Sequence, residues 1–72
     1  MTKYALYFPN EKGLLNEDKL TFSPNFHAHI FLMDDPQSIS EFARYNFPKD
    51  EVNIIPVVMM PIPINLNQKD AA

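Results

Sequence analysis

The stretch FHAHIFLMDDPQSISEFARYN, residues 26–46, decides the fold that this sequence predicts. It opens with an apolar run, continues with two aspartates and a proline, and ends in an amphipathic segment. We interpret residues 26–33 as a buried strand, because both of its faces are mostly apolar toward the C-terminal half. The strand leads directly into the chain's most convincing helix, at residues 36–46.

The start and the end of this helix carry local signals. Asp35 suits the N-cap and Pro36 suits the first helical position, where a missing N–H costs nothing. Ser38 and Glu41 form an alternative capping box that would start the helix three residues later. Pro48 disfavours helical geometry in the residue before it, so the helix ends near residue 46. A helix this short is not stable alone, and it must pack on a sheet.

Three further segments alternate in polarity or are rich in β-branched residues, and we predict them as strands. They are residues 3–8, 19–23 and 52–60. Pro56 removes a ladder donor from the last of these, which places that strand at an edge or at a bulge. Residues 11–18 read as a loop whose leucines tuck against the core.

The connections suggest how the strands pair. Turn residues Ser23, Pro24 and Asn25 predict a hairpin between the second and third strands. The third strand, the helix and the last strand form a βαβ unit, whose long connection permits a parallel crossover. An antiparallel last strand, reached through a helical corner, remains an alternative.

The predicted fold is a small α+β domain with about four strands in a mixed sheet and one short helix on one face. The chain length of 72 residues allows one domain only. We assign residues 1–64 to this domain and residues 65–72 to a disordered C-terminal tail.

Composition excludes several classes of function. No cysteine is present, so disulfides, thiolate zinc sites and thiol catalysis are excluded, and a reducing compartment is expected. A net charge of −3 with six scattered basic residues argues against nucleic-acid binding. The single glycine excludes glycine-rich phosphate loops. No apolar run approaches the ~20 residues that span a bilayer, and no export signal is recognised. We therefore expect a soluble cytoplasmic protein.

Two pairs of residues offer chemistry in principle. His27 and His29 would lie about 7 Å apart on one face of a strand. With Asp34 or Asp35 they would make a set of ligands for zinc or iron, although both histidines also suit a partly exposed strand face. The two aspartates could act as an acid–base couple, but helix capping explains their position better. No cofactor is predicted.

One short helix covers only part of a four-stranded sheet, although the predicted strands carry apolar residues on both faces. The second face must be covered by the Leu14 and Leu15 loop, by the Pro-Ile segment near residues 61–64, or by another chain. The residues predicted to lie at such an interface are Tyr7, Phe31, Met33, Val57, Met59, Met60 and Ile62.

The predicted function is that of a small, acidic, non-enzymatic interaction module, an adaptor or inhibitor of the kind found in phages and mobile elements. It acts through an apolar sheet face or edge, as a homodimer or a larger homo-oligomer. The expected partner is another protein or a second copy, and neither nucleic acid nor membrane. The alternative is a module that binds a metal or a small molecule through His27 and His29.

Overall fold

A computed structural model describes residues 1–58 of the chain as four strands and one helix. The strands follow the order β3-β2-β1-β4 across one sheet, and each neighbouring pair is antiparallel. The elements are β1 Thr2–Phe8, β2 Gly13–Leu15, β3 Phe22–Ser23, α1 Pro36–Asn46 and β4 Asn53–Val58. The predicted strand end at residues 59–60, the domain end at 64 and the tail 65–72 lie outside the described residues.

The predicted α+β class, the four strands and the helix are confirmed. The helix begins where its local signals placed it, because Asp35 Oδ2 accepts hydrogen bonds from Ser38 N–H and Ser38 Oγ at 2.9 and 2.8 Å. Pro36 occupies the first turn, and the N–H of Phe47 closes the last turn on the Ala43 carbonyl at 2.8 Å. The alternative start at a Ser38 capping box is wrong, because Ser38 already lies inside the helix.

The predicted mixed sheet is wrong, and so is its parallel crossover. β4 lies antiparallel to β1 along their whole shared length, from Thr2 opposite Val58 to Tyr7 opposite Asn53. The helix therefore leads into a corner that returns the chain beside β1, as the alternative proposed. Pro56 does lie on an edge strand, as its missing N–H predicted.

Residues 26–33 are not a strand. The part from 29 to 33, called here the inserted segment, forms two isolated antiparallel bridges, Tyr4 with Met33 and Asn16 with Ile30. The cause is a difference in length, because β1 has seven residues and β2 has three, which leaves half of one edge of β1 open. The inserted segment fills that gap by pairing beside β1 and β2. Because it does not pair with β3, the predicted hairpin around residues 23–25 does not form.

The predicted loop at residues 11–18 contains β2. Gly13 suits this strand because a Cβ there would lie 2.9 Å from the backbone oxygen of Ser23, so the side chain of any other residue would push β2 and β3 apart. The predicted strand at 19–23 is reduced to its last two residues. Its first residues form a turn instead, which Asp18 holds through the backbone N–H groups that follow it.

The core lies between α1 and the face of the sheet that carries Leu6 and Phe8. Phe31 and Met33 pack against this core from the inserted segment, and the Phe31 ring lies 4.8 Å from the ring of Phe42. The prediction that both residues lie on the face away from the helix is wrong. The buried residues of the core cluster are Leu6, Phe8, Leu15, Ile39 and Ala43.

Ile30 gives a test of the inserted segment, because it is 2% exposed although it lies outside every strand. We expect Ile30→Val to lower the free energy of unfolding by about 0.5–1.5 kcal/mol, since a buried methyl is lost. The same change at Ile55, which is 38% exposed, should stay within about 0.5 kcal/mol. Urea unfolding of the two variants measures both effects, and equal losses would contradict the packing described here.

Candidate functional site

The face of the sheet opposite α1, called here the open face, carries the alternate residues of β1 and β4. Ala5 lies opposite Ile55, and Lys3 lies opposite Val57, so each pair shares this side of the sheet. Within residues 1–58 no helix or strand packs on it. The apolar residues that β1, β2 and β4 place on the open face are Ala5, Tyr7, Leu14, Ile55 and Val57.

The open face is smooth at its centre and polar at its two ends. Ala5 is fully buried, and Ile55 opposite it is 38% exposed. At one end Lys3 forms an ion pair with Asp34, whose side chain is 77% exposed. This pairing and the helix cap at Asp35 assign a structural partner to each aspartate, so the two carboxylates are not an acid–base couple.

At the other end, a chain of hydrogen bonds surrounds His27. Its Nε2 lies 3.0 Å from Asn16 Oδ1 and 3.0 Å from Ser23 Oγ. Its Nδ1 accepts a hydrogen bond from the backbone N–H of His29 at 3.1 Å. Because Nδ1 is the acceptor, the proton of the neutral ring lies on Nε2, which donates to the two oxygens.

This tautomer decides whether Ser23 and His27 can act as a nucleophile and its base. In a serine–histidine pair, Nε2 must be unprotonated to take the hydroxyl proton, and a third group must accept from Nδ1–H. Here the backbone N–H of His29 donates to Nδ1. The two ring nitrogens therefore have the opposite donor and acceptor roles, with Nε2 protonated and Nδ1 unprotonated. The contact between Ser23 and His27 therefore stabilises the β2–β3 end of the sheet and does not activate the hydroxyl.

The same geometry bears on the predicted metal ligands. The rings of His27 and His29 have centroids 6.0 Å apart, and His29 Nδ1 lies 3.3 Å from Glu17 Oε1. Both ring nitrogens of His27 already have partners. Among residues 1–58 no three histidine, cysteine or acidic residues are grouped to hold a metal ion. The set of two histidines with Asp34 or Asp35 is therefore not assembled.

A groove of about 210 Å³ lies between α1 and β4 on the other side of the sheet. We call it the helix–strand groove. Its walls combine apolar side chains with the polar Ser40, one cation, Arg44, and one anion, Asp50. The residues that line it are Ser40, Ala43, Arg44, Phe47, Pro48, Asp50, Val52 and Ile54.

The outer edge of β4 borders this groove. The N–H and C=O of Tyr4 both pair with Met33, at 2.8 and 3.0 Å, so neither is directed at Pro56 on the opposite side. Tyr4 and Pro56 are thus a non-hydrogen-bonded pair, and the backbone of Pro56 points away from β1. By alternation the backbone groups of Ile54 and Val58 point outward too, and they have no hydrogen-bond partner within residues 1–58.

The predicted interface residues do not form one surface. Tyr7 and Val57 lie on the open face, where both are half-buried. Phe31 and Met33 lie on the helix side, packed against the core. The other predicted interface residues fall outside the part of the chain that the structure describes: Met59, Met60 and Ile62.

Sequence reasoning missed the hydrogen-bonded cluster around His27 and the helix–strand groove. The cluster joins Asn16, Ser23 and His27, which come together only because β2 pairs with β3. No spacing in the sequence indicates that contact. The groove had one usable signal, since Pro56 in an apolar strand already indicates an edge.

Comparisons with known proteins give no relative, since no family model, no curated protein and no solved structure matches this chain. Within residues 1–58, no helix is both long enough and apolar enough to cross a membrane.

The pH dependence of stability tests the turn that Asp18 holds, which contacts the His27 cluster through Thr21 and Asn16. The backbone N–H groups of Leu20 and Thr21 donate to Asp18 and lower the pKa of its carboxyl below the ordinary value of 3.8. A lowered pKa in the folded state stabilises the fold above pH 3.8, and this contribution is lost as pH falls through the folded pKa. We expect the stability difference between wild type and Asp18→Asn to shrink as pH falls below about 4. Parallel stability curves from chemical unfolding would contradict this.

The tautomer of His27 is open to direct measurement. A long-range ¹H–¹⁵N spectrum at neutral pH should show Nε2 protonated and Nδ1 unprotonated, because Nδ1 accepts the His29 N–H. His29, which is exposed, serves as the internal reference. A proton on Nδ1 of His27 would leave Nε2 free to accept the Ser23 hydroxyl proton. That result would contradict our conclusion that His27 does not activate Ser23.

Proposed function

We propose that this chain is a small non-enzymatic interaction protein, an adaptor or inhibitor, that docks its open face onto an apolar surface of another protein. One observation carries the proposal. The helix covers one face of the sheet, whereas the apolar residues of the opposite face have no helix or strand over them within residues 1–58.

The shape of the open face suits a docking surface. Ala5 keeps its centre flat, while Tyr7, Ile55 and Val57 surround it with aromatic and β-branched side chains. Faces of this kind pack against a second sheet or against an apolar surface at a spacing of about 10 Å. Contiguous apolar surface on a small protein commonly marks an interface.

The polar side chains support a role without catalysis. Asp18 holds a turn, Asp35 caps the helix, and Asp34 pairs with Lys3. His27 is held by its neighbours in the tautomer that does not act as a base. Each of these groups has a structural partner within the fold, which leaves the apolar surface as the feature without one.

The charges at the end of the open face suggest how a partner is oriented. Lys3 and Asp34 form a compact pair of opposite sign beside Val57. A partner that places a neutral apolar patch on the open face meets this ion pair at the rim of the interface. Charges at a rim set the orientation of a partner more than its affinity. The absence of cysteine supports the cytoplasm as the place where this contact is made.

Site-specific photo-crosslinking in the native host tests the proposal. A photoreactive phenylalanine at position 55 lies on the open face, and the same residue at position 45 replaces Tyr45, which is 86% exposed on the helix. We expect one discrete crosslinked species from position 55 and none from position 45. A second copy of this chain counts as a partner in this experiment. Crosslinks that are equal at the two positions, or absent from both, would overturn the proposal.

Reconstitution with the captured partner then measures the contribution of the face. Ile55→Lys places a charge in the open face and should raise Kd at least about tenfold, since a charge buried in the interface without a partner is costly. Tyr45→Lys is the matched control and should leave Kd within about twofold. Circular dichroism of both variants checks that they are folded. Equal affinities would contradict docking through the open face.

A further inference from the structure

The two edges of the sheet differ in how they are protected. β3 has two residues and Pro24 follows it, so this edge offers little backbone to another strand. β4 has six residues, none of them charged, and its outer edge is unpaired within residues 1–58. Short strands, charged side chains and prolines are the usual devices that keep sheet edges from pairing. Of these devices β4 has only Pro56, so its outer edge is open to a second strand.

The outward backbone groups of β4 limit which strand fits beside it. Ile54 and Val58 direct both N–H and C=O outward, whereas Pro56 offers only its C=O. The same alternation extends this set to Val52, which comes directly before the strand. A matching strand has to bring an N–H to the Pro56 carbonyl, and a second copy of β4 has such an N–H at Ile54.

We propose that two copies of this chain pair through the outer edges of their β4 strands, antiparallel, with a two-fold axis between the two copies of Ile55. In this register Ile54 lies opposite Pro56 of the second copy, and Val52 lies opposite Val58. Within residues 52–58, every outward N–H then has an acceptor on the other copy. The two sheets join into one, a closed arrangement in which both copies use the same edge.

The neighbouring registers use fewer of these donors. If Pro56 lay opposite Pro56 of the second copy, two carbonyls would face each other with no N–H between them. If Ile54 lay opposite Ile54, then Val58 would lie opposite Asp50, whose N–H already donates to the Phe47 carbonyl at 3.3 Å. The pattern of donors thus selects the register centred on Ile55.

The same register brings an exposed apolar side chain to the helix–strand groove of each copy. Val58 is 63% exposed at one end of β4, and Val52 lines the groove at the other end. Both side chains lie on the helix side of the sheet, because they alternate with the residues of the open face. Residues opposite each other in an antiparallel pair share one side of the sheet. Val58 of the second copy therefore lies at the groove beside Val52, and the two-fold axis repeats this contact.

On the open face, Ile55 meets its own copy across the axis. It is 38% exposed, and in this register it forms a non-hydrogen-bonded pair, in which the side chains lie closest together. The open faces of the two copies then lie side by side on one sheet and form one continuous apolar surface.

The dimer deepens the proposed interaction function, and it rests on that function only for the premise that the chain works by binding protein. It joins the copies through the edge of β4 and leaves the open face free for a further partner. The two proposals fail separately, because a monomer can still dock its open face, and an edge dimer can form without a further partner.

Disulfide formation in the full chain tests the register directly, because the natural chain has no cysteine. Ile55→Cys places two Cα atoms about 4.5 Å apart across the axis, within the range that a disulfide spans. Val57→Cys is the matched control, because it lies on the same side of the same strand but about 14 Å from its copy. In a glutathione redox buffer, we expect at least about tenfold more disulfide-linked dimer from Ile55→Cys, measured by mass spectrometry. Equal yields would contradict the register.

A second set of variants separates the edge from the open face. Val58→Pro removes one outward N–H, whereas Val58→Thr keeps it with a side chain of similar shape. Analytical ultracentrifugation across the micromolar range should show a dimer for wild type and for Val58→Thr. Val58→Pro should raise the dimer Kd roughly 10- to 100-fold, because one hydrogen bond is lost at each of two symmetric sites. Tyr7→Lys changes the open face on β1 and should leave the dimer Kd within about threefold.

Amide hydrogen exchange reports on the edge itself. The amides of Ile54 and Val58 should exchange slowly in the wild-type dimer, and the Ile54 amide should exchange fast in Val58→Pro under conditions where that variant is monomeric. Circular dichroism checks that each variant is folded.

Each other outcome overturns the edge dimer. A monomeric wild type with fast exchange at Ile54 and Val58 shows that the edge is free. A monomeric wild type with slow exchange at both amides shows that the edge is covered within one chain. A dimer that resists Val58→Pro and dissociates with Tyr7→Lys is built on the open face, which would leave the proposed function standing.

Discussion

The backbone pairing of the inserted segment with β1 and β2 is the interaction on which the rest of this structure depends. Met33 exchanges two hydrogen bonds with Tyr4, and Phe31 donates to the Leu15 carbonyl at 3.0 Å. These bonds satisfy the part of β1 that β2 is too short to reach. They also place Phe31 and Met33 on the helix side and start α1 at a fixed point above the sheet.

Local signals predicted the helix, β1 and the edge position of the last strand, because each depends on residues close in sequence. Asp35 and Pro36 specify a helix start without help from the rest of the chain. The apolar run at 26–33 was harder, since its pattern indicates an extended and buried segment, whereas His29 is exposed and only Ile30 of the inserted segment is fully buried. Its partners depend on the difference in length between β1 and β2, and β2 was hidden in a segment that read as a loop.

The candidate sites could be predicted only in part, for similar reasons. Two histidines separated by one residue suggest a metal site, but a backbone N–H decides the tautomer of His27, and the sequence does not show that contact. The open face was expected, although Phe31 and Met33 were assigned to it wrongly. The helix–strand groove depends on β4 lying beside β1, a pairing between the two ends of the described region.

The central place of β1 in the sheet has a consequence for the order of folding. During synthesis β1 emerges first, and its hairpin with β2 can close at once because the loop is short. Its other edge, which carries the backbone groups of Lys3, Ala5 and Tyr7, has to wait until β4 leaves the ribosome. Pairing between such distant segments is slow to form. The nascent chain therefore carries an unpaired edge of β1 until β4 becomes available, and this interval exposes it to aggregation.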